Sequence, residues 1–146
     1  MRHWEDFEAG QVYELGTRTV TREEIVAFAR EFDPQPFHLD EEAAARGPFG
    51  GLIASGWHTA SLFMRMYVDE LINDTVSMGS PGVEELRWLV PVRPGDELRG
   101  RVTILEAAPS STRPDRGTIR ARMELLNQRD EVVLTMVARG FLGRRG

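Results

Sequence analysis

The segment from Ser55 to Ile72 places the strongest constraint on the fold, because a helix formed by it is apolar around most of its circumference. Its apolar side chains are Trp57, Ala60, Phe63, Met64, Met66, Tyr67, Val68, Leu71 and Ile72. Only a narrow stripe through His58, Ser61, Arg65 and Asp69 is polar. A helix of this kind is buried on most sides by other structure. We therefore expect the rest of the chain to wrap around it.

The segments available to wrap this helix show the two-residue alternation of β-strands. One precedes the long helix and four follow it, at 11–20, 84–92, 98–104, 119–125 and 132–141. Helices and strands are thus segregated along the chain, which is typical of an α+β fold with an antiparallel sheet. A length of 146 residues favours a single domain, 1–146. The sequence therefore predicts an antiparallel sheet curled around one long central helix.

Short helical turns are expected between the first strand and the long helix. Thr21 is followed three residues later by a glutamate, the pattern of a capping box that opens a helix. Asp33 ends this helix, because a residue that precedes proline is driven out of the helical region. Pro36 is expected to keep the chain extended as far as His38.

Composition excludes several kinds of catalysis. The chain has no cysteine, its 18 basic residues are all arginine, and histidine occurs only at positions 3, 38 and 58. Thiolate nucleophiles, disulfides, thiolate metal sites and lysine bases are therefore excluded. Proton transfer near neutral pH would have to rely on histidine and carboxylate side chains.

Charge and hydropathy limit the expected cellular location and binding partners of the protein. No apolar leader or membrane-spanning stretch is visible, so we expect a cytoplasmic protein without a membrane partner. The net charge of −5 and the absence of a DNA-binding motif argue against a nucleic-acid partner. Twelve arginines lie beyond residue 86 and alternate with apolar residues. We interpret them as outward faces of strands, with phosphate binding as the alternative.

Two side chains suited to proton transfer stand close together before the long helix. Asp33 and His38 are five residues apart in a stretch stiffened by two prolines. A rigid backbone suits groups that must converge on one water molecule, because a misplacement of about 1 Å is costly. The alternative is a turn aspartate and a hydrogen-bonded packing histidine. A metal site of His38, Asp40 and His58 is a weaker alternative.

A glycine-rich segment, 50–56, leads into the long helix. The start of a helix offers free N–H groups and a partial positive charge, and glycine lets a ligand approach the backbone, so this segment suits an oxyanion. The alternative is a plain loop in which Ser55 caps the helix. His58 is assigned to the polar stripe of the helix, and His3 to an incidental position near the terminus.

Segments 33–40, 49–56 and 90–96 together resemble the MaoC-like proteins, which are R-specific enoyl-CoA hydratases and related dehydratases of hotdog fold. The pattern in that family is D-x-N-P-x-H, followed by a glycine that opens the central helix. Gln35 stands where the family usually has asparagine. Ser55 stands where many members have histidine before the glycine.

The resemblance implies a hydratase or dehydratase of fatty acid metabolism, which adds water to a 2-enoyl thioester or removes it from a 3-hydroxyacyl thioester of CoA or a carrier protein. It implies that Asp33 and His38 hold the water and move protons, while the N–H of Gly56 stabilises the thioester oxygen. These groups suffice without a metal or cofactor, so none is expected. The residues expected to bind substrate are Gln35, Pro36, Phe37, Ser55, Trp57 and His58.

Two other functions remain open. A hotdog thioesterase would need a carboxylate on the central helix that faces the thioester, and Asp69 and Glu70 lie late on that helix. A non-catalytic acyl-CoA-binding subunit would bind its ligand without turnover. In each case a single helix leaves one sheet face and one sheet edge uncovered, so a homodimer is expected.

Overall fold

A five-stranded antiparallel sheet forms the framework of the structure, a computed structural model that describes residues 1–146. The strands are β1 (Val12–Thr19), β2 (Gly82–Trp88), β3 (Glu97–Pro109), β4 (Arg116–Leu126) and β5 (Val132–Gly143). Their order across the sheet is β1-β3-β4-β5-β2, and every neighbouring pair is antiparallel. Strands β1 and β2 are therefore the two edges. The predicted α+β class with an antiparallel sheet is confirmed.

Four helices accompany the sheet: α1 (Arg22–Phe32), α2 (Pro36–Leu39), α3 (Glu41–Ala45) and α4 (Gly56–Glu70). The predicted capping box opens α1, since the Thr21 hydroxyl accepts the N–H of Glu24 at 3.2 Å and the Glu24 carboxylate accepts the N–H of Thr21 at 2.7 Å. Helix α4 is the predicted long helix and ends two residues earlier than expected. None of these helices combines the length and the apolar character needed to cross a membrane.

The expectation of an extended chain around Pro36 is wrong. Pro36 is the first residue of α2, a single helical turn that includes His38. Proline is well suited to this position, because the first N–H of a helix has no intrahelical partner and the fixed φ of proline matches the helical value. The turn is closed by the N–H of Asp40, which donates to the carbonyl of Pro36 at 2.9 Å.

Helix α4 packs against the inner face of the sheet and forms the core with it. Its buried side chains include Phe63 and Met66, and alternate residues of β3 and β4 are buried beneath them. Gly100 of β3 permits the close approach of helix and sheet, because a Cβ there would lie 3.1 Å from Leu15 and 3.3 Å from Met66. The core therefore depends on the apolar side of α4, as its sequence predicts.

The wrapping of α4 is incomplete in the single chain. Trp57 and Met64 are exposed on it, next to the edge strand β2. His58, which was expected in the polar stripe, is buried instead, because helix α1 covers that side and Phe28 stacks on the His58 ring at a centroid distance of 4.9 Å. The rest of the predicted polar stripe, Ser61, Arg65 and Asp69, is exposed as expected. The long helix exposes an apolar strip beside β2 in addition.

The arginines of the later strands lie mostly on the outer face of the sheet, as expected. Arg101 pairs with Glu124 across β3 and β4 at 3.1 Å. Arg120 and Arg139 share Glu84 of β2 at 2.9 and 2.7 Å. These partly exposed pairs lie on the outer surface of the sheet and leave its inner face to apolar side chains.

Candidate active site

A sharp turn between α1 and α2 holds Asp33 and His38. Asp33 is the C-cap of α1, and its N–H donates to the carbonyl of Ala29 at 2.9 Å. The carbonyl of Asp33 accepts the N–H of Gln35 at 2.8 Å, immediately before α2 begins. The prolines at positions 34 and 36 limit the backbone freedom of this turn. The two side chains are therefore presented from a stiff frame.

The Asp33 and His38 side chains are in direct contact. Nε2 of His38 lies 3.2 Å from Oδ2 of Asp33, and the other ring nitrogen, Nδ1, lies 2.7 Å from the carbonyl oxygen of Ile53. A carbonyl oxygen only accepts hydrogen bonds, so Nδ1 carries a hydrogen. In the protonated ring Nε2 donates to the Asp33 carboxylate, whereas in the neutral ring Nε2 is an acceptor beside it. Two acceptors that meet in this way can share the two hydrogens of one water molecule.

Three neighbours surround the Asp33 carboxylate. Its Oδ1 accepts the side-chain amide of Gln35 at 2.7 Å, and its Oδ2 accepts the hydroxyl of Ser55 at 2.7 Å in addition to facing His38. Burial alone would raise the pKa of the Asp33 carboxyl, but the hydrogen bonds from Gln35 and Ser55 and the attraction to His38 outweigh it. The pKa is therefore lowered from its ordinary value.

Asp33 and His38 line a cavity of about 470 Å³ between the start of α4 and the loop that follows β2. The residues that line it are Asp33, Gln35, Phe37, His38, Phe49, Ile53, Ala54, Gly56, Trp57, Thr59, Trp88, Leu89, Val90, Pro91, Val92 and Val133. Most of these side chains are apolar, so the polar groups at one end have a largely apolar surrounding. Such a cavity suits a ligand with an apolar chain and one polar end.

Gly56 brings the start of α4 to this cavity. It is the first residue of the helix, and its N–H has no acceptor within the protein. The free N–H groups of the first turn and the helix dipole favour negative charge here. A Cβ at this position would lie 2.5 Å from an indole atom of Trp88. Glycine is therefore required for the observed packing of α4 against Trp88.

The predicted site residues divide into two groups. Gln35, Phe37 and Trp57 line the cavity together with the Asp33–His38 pair and Gly56. Pro36 is exposed on α2 and is not part of the cavity wall.

The other two predicted substrate-binding residues lie behind the cavity wall. Ser55 is fully buried and its hydroxyl is directed to Asp33. His58 is buried against Phe28, and burial lowers the pKa of its ring. Neither side chain lines the space that a substrate would occupy, because Ser55 is directed to Asp33 and His58 faces helix α1.

Several cavity residues were missed by sequence reasoning. Trp88 and the loop 89–92 form one wall, and Thr59 and Phe49 contribute to the others. Segment 90–96 was indicated only by its resemblance to the family. No local sequence pattern indicates that Trp88 lines the cavity, because its position depends on how the end of β2 meets the start of α4.

A second cavity, of about 270 Å³, lies between the C-terminal half of α4 and the sheet. Its lining is mainly apolar, with Met64, Tyr67 and Met136 among the larger side chains, and it contains no carboxylate or histidine. Asp69 is not in either cavity and pairs with Arg65 at 2.7 Å. The side chains suited to proton transfer are thus gathered in the larger cavity.

No three histidine or acidic side chains are grouped so that they could hold a metal ion. The alternative metal site of His38, Asp40 and His58 is therefore not assembled by the fold. Asp40 instead caps α3, where its carboxylate accepts the N–H groups of Glu42 and Ala43 at 2.9 and 3.2 Å.

The chain is similar to known proteins over the region that contains the candidate active site. A family model described as "MaoC like domain" matches residues 6–125, a range that includes Asp33, His38 and Gly56. A MaoC-like dehydratase from Rhodospirillum rubrum, known from its crystal structure, is 44% identical, with a TM-score of 0.89. The alignment covers 100% of this chain and 99% of that one. The predicted hotdog fold is confirmed.

Two curated relatives are similar over most of the chain. YdeM of Bacillus subtilis, an uncharacterized protein, is 33% identical over 127 residues, which are 86% of this chain and 88% of that protein. The 3-hydroxybutyryl-CoA dehydratase of Methylorubrum extorquens is 33% identical over 116 residues, 76% of this chain and 69% of that protein.

Proposed function

The chain belongs to the MaoC-like domain family, and on that premise we propose that it adds water to a 2-enoyl thioester or removes water from a 3-hydroxyacyl thioester. The main observation in support of this proposal is the 3.2 Å contact of Asp33 with His38 in a cavity that is also lined by Gly56, whose N–H has no acceptor in the protein. Similarity to a 3-hydroxybutyryl-CoA dehydratase supports a thioester substrate. The proposed acyl carrier is CoA or a carrier protein.

In the proposed reaction, the Asp33 carboxylate and the free Nε2 of His38 accept the two hydrogens of one water molecule. The carbonyl of Ile53 keeps the hydrogen of the ring on Nδ1, so Nε2 is available as an acceptor. The hydrogen bonds on both oxygens of Asp33 keep its carboxylate in one orientation. The water oxygen is thereby directed away from the pair and into the cavity.

Hydration then proceeds without net gain or loss of protons. The water oxygen forms a bond to Cβ of the enoyl group while one water proton passes to the Asp33–His38 pair. The electrons of the carbon–carbon double bond move towards the thioester oxygen, whose developing charge is stabilised by the N–H of Gly56 and the start of α4. The pair returns one proton to Cα and the thioester carbonyl re-forms. No metal or cofactor takes part in this proposal.

The test is hydration of a short 2-enoyl-CoA by the wild type and by the variants Asp33→Asn and His38→Ala. Each variant is expected to lose activity by about 10²- to 10⁴-fold, the usual contribution of a general acid–base group. The measurement is the loss of enoyl-thioester absorbance. Asp40→Asn is a matched control, because asparagine caps a helix as well as aspartate and Asp40 lies outside the cavity.

Each alternative function predicts a different outcome of the same assay. Release of free thiol by the wild type would indicate a thioesterase. Tight binding without turnover across several enoyl thioesters would indicate a non-catalytic binding subunit. Full activity in Asp33→Asn or His38→Ala would contradict the proposed chemistry even if the wild type is a hydratase.

We further propose that the protein is a homodimer joined along β2. The exposed large apolar side chains of Trp57, Met64, Val83, Trp88 and Leu89 are gathered on α4, on β2 and just after β2. Strand β2 is an edge strand whose outer hydrogen-bonding groups have no partner in the sheet. An exposed edge beside an apolar patch favours pairing with a second chain. The other edge strand, β1, has a single large exposed apolar residue, Val12.

A further inference from the structure

Ser55 occupies the N-cap of α4 but does not cap it. A serine at this position normally accepts an N–H from the first turn of the helix, and losing such a cap costs stability. Here the hydroxyl donates instead to Oδ2 of Asp33 at 2.7 Å. The side chain is fully buried, so water does not compete for this hydrogen bond. Ser55 therefore forms a hydrogen bond with the candidate catalytic carboxylate in place of the usual N-cap hydrogen bond with the helix.

The oxygen that accepts the Ser55 hydroxyl is also the one that faces His38. Oδ2 of Asp33 lies 3.2 Å from Nε2 of His38, so a rotation of the carboxylate would break both contacts. Gln35 holds the other oxygen at 2.7 Å, but Gln35 is exposed and its amide can exchange partners with water. The buried hydroxyl is therefore the firmer of the two anchors on the carboxylate.

The hydroxyl also acts on the charge of Asp33. An ionised carboxylate only accepts hydrogen bonds, and the Ser55 donor is matched to that form. Among the elements packed around Asp33, α2 contributes the one titratable group in contact, His38, and α4 contributes Ser55. Removing the hydroxyl leaves Oδ2 with His38 alone and removes a donor that favours the charged form.

We propose that Ser55 is a positioning residue that aims Oδ2 of Asp33 at His38 and keeps the carboxylate ionised, without touching the substrate. This inference rests on the proposed hydratase function. It assigns to Ser55 a role different from the substrate contact expected from the sequence. It also gives a physical reason for serine at this position: a small hydroxyl side chain fits the fully buried space and reaches the carboxylate.

The decisive variant is Ser55→Ala, which deletes only the hydroxyl. Loss of one hydrogen bond to a charged group corresponds to a fall in kcat of about 10- to 100-fold, with KM little changed because the side chain does not face the cavity. The acid limb of the kcat–pH profile is expected to move to higher pH, since the charged form of Asp33 loses a donor. Ser55→Thr, which keeps a hydroxyl, is expected to restore most of kcat.

Thr75→Val is the matched control. Thr75 is also buried, and its hydroxyl donates to the carbonyl of Leu71 at 2.7 Å, outside both cavities. This variant removes one buried hydroxyl and is expected to lower the melting temperature while leaving kcat and its pH profile unchanged. If Ser55→Ala behaves in the same way, the hydroxyl has only a structural role and the inference is wrong.

A second readout separates this inference from the proposed function. Absence of hydratase activity in the wild type would contradict the proposed function. The titration of the Asp33 carboxyl carbon, followed by ¹³C NMR and assigned with Asp33→Asn, reports on Ser55 regardless of turnover. An upward shift of the midpoint in Ser55→Ala supports the inference, and an unchanged midpoint contradicts it.

Discussion

His58 is a buried histidine that the fold keeps away from the candidate active site. Its ring stacks on Phe28 of α1, and its Nδ1 is buried without a hydrogen-bond partner. Burial lowers the pKa of the ring, an effect that the nearby Glu24 opposes and Arg18 reinforces. The neutral form is thus the one that fits the folded state.

This burial predicts a loss of stability in mild acid. The pKa of His58 is lower in the folded state than in the unfolded chain, where it is about 6.5. The unfolded state therefore binds more protons below that pH, and the contribution of neutral His58 to stability falls as pH drops from about 6.5 through the folded pKa. In His58→Gln the free energy of unfolding, measured with urea at pH 7 and pH 5, is expected to fall less than in the wild type. Equal decreases in the two proteins would contradict the assignment.

Two parts of the chain form the site, the turn from α1 to α2 and the start of α4. The C-terminus of α1 and the single turn of α2 hold the Asp33–His38 pair, and the start of α4 supplies Ser55 and the free N–H of Gly56. The capping box at Thr21 and the two prolines predicted part of the α1–α2 segment, because capping and proline geometry act within a few residues. The helical turn at Pro36 was not predicted, since the sequence signal for an extended segment and for the first turn of a helix is the same proline.

The contact between α4 and the end of β2 is expected to be sensitive to a single methyl group. In Gly56→Ala the new Cβ would lie 2.5 Å from the indole of Trp88 and would force it to move. Because Trp88 is partly exposed on an edge strand, the fold should survive while the cavity wall shifts. We expect kcat/KM for enoyl-CoA hydration to fall about 100-fold, as for a misplacement of about 1 Å near the reacting atoms.

Gly47→Ala provides the control for this prediction. Its Cβ would meet only backbone oxygens at 3.5 Å, an ordinary contact distance. The variant is expected to retain wild-type kinetics. Wild-type activity in Gly56→Ala as well would show that the position of Trp88 is unimportant for turnover.

Exposed apolar side chains lie along β2 and on the adjacent side of α4. Val83 and Met64 line the smaller cavity at one end of β2, while Trp57 packs against Trp88 at the other end with ring centroids 5.2 Å apart. This region borders the larger cavity, so a second chain bound there would adjoin the candidate active site. Association and activity are therefore expected to be linked.

Two valines offer a matched test of the proposed dimer. Val83 on β2 and Val12 on β1 are each 53% exposed, one on each edge of the sheet. Val83→Asp is expected to weaken the dimer, because it places a charge in the proposed apolar interface. Val12→Asp is expected to leave the molecular mass in solution unchanged. Light scattering at micromolar concentration distinguishes the two, and a monomeric wild type would contradict the proposal.

Local interactions made much of this protein predictable from its sequence. The two-residue alternation of the strands, the capping box at Thr21 and the apolar periodicity of α4 depend on residues a few positions apart. The short spacing of Asp33 and His38 likewise indicated a pair that could meet. Resemblance to a family then supplied a chemical interpretation, which spacing alone left open.

Tertiary structure decided the features that depend on distant segments. Ser55 and Asp33 are separated by 22 positions, and their hydrogen bond exists because α4 begins beside the end of α1. Trp88 forms a cavity wall because β2 lies at the sheet edge next to α4, and His58 is buried because α1 covers that side of the helix. The sequence by itself determined that α4 would be a mostly apolar helix; only packing decided which of its sides faces the sheet, the site and the surface. Helical periodicity specifies the faces of a helix but not the neighbours that each face meets.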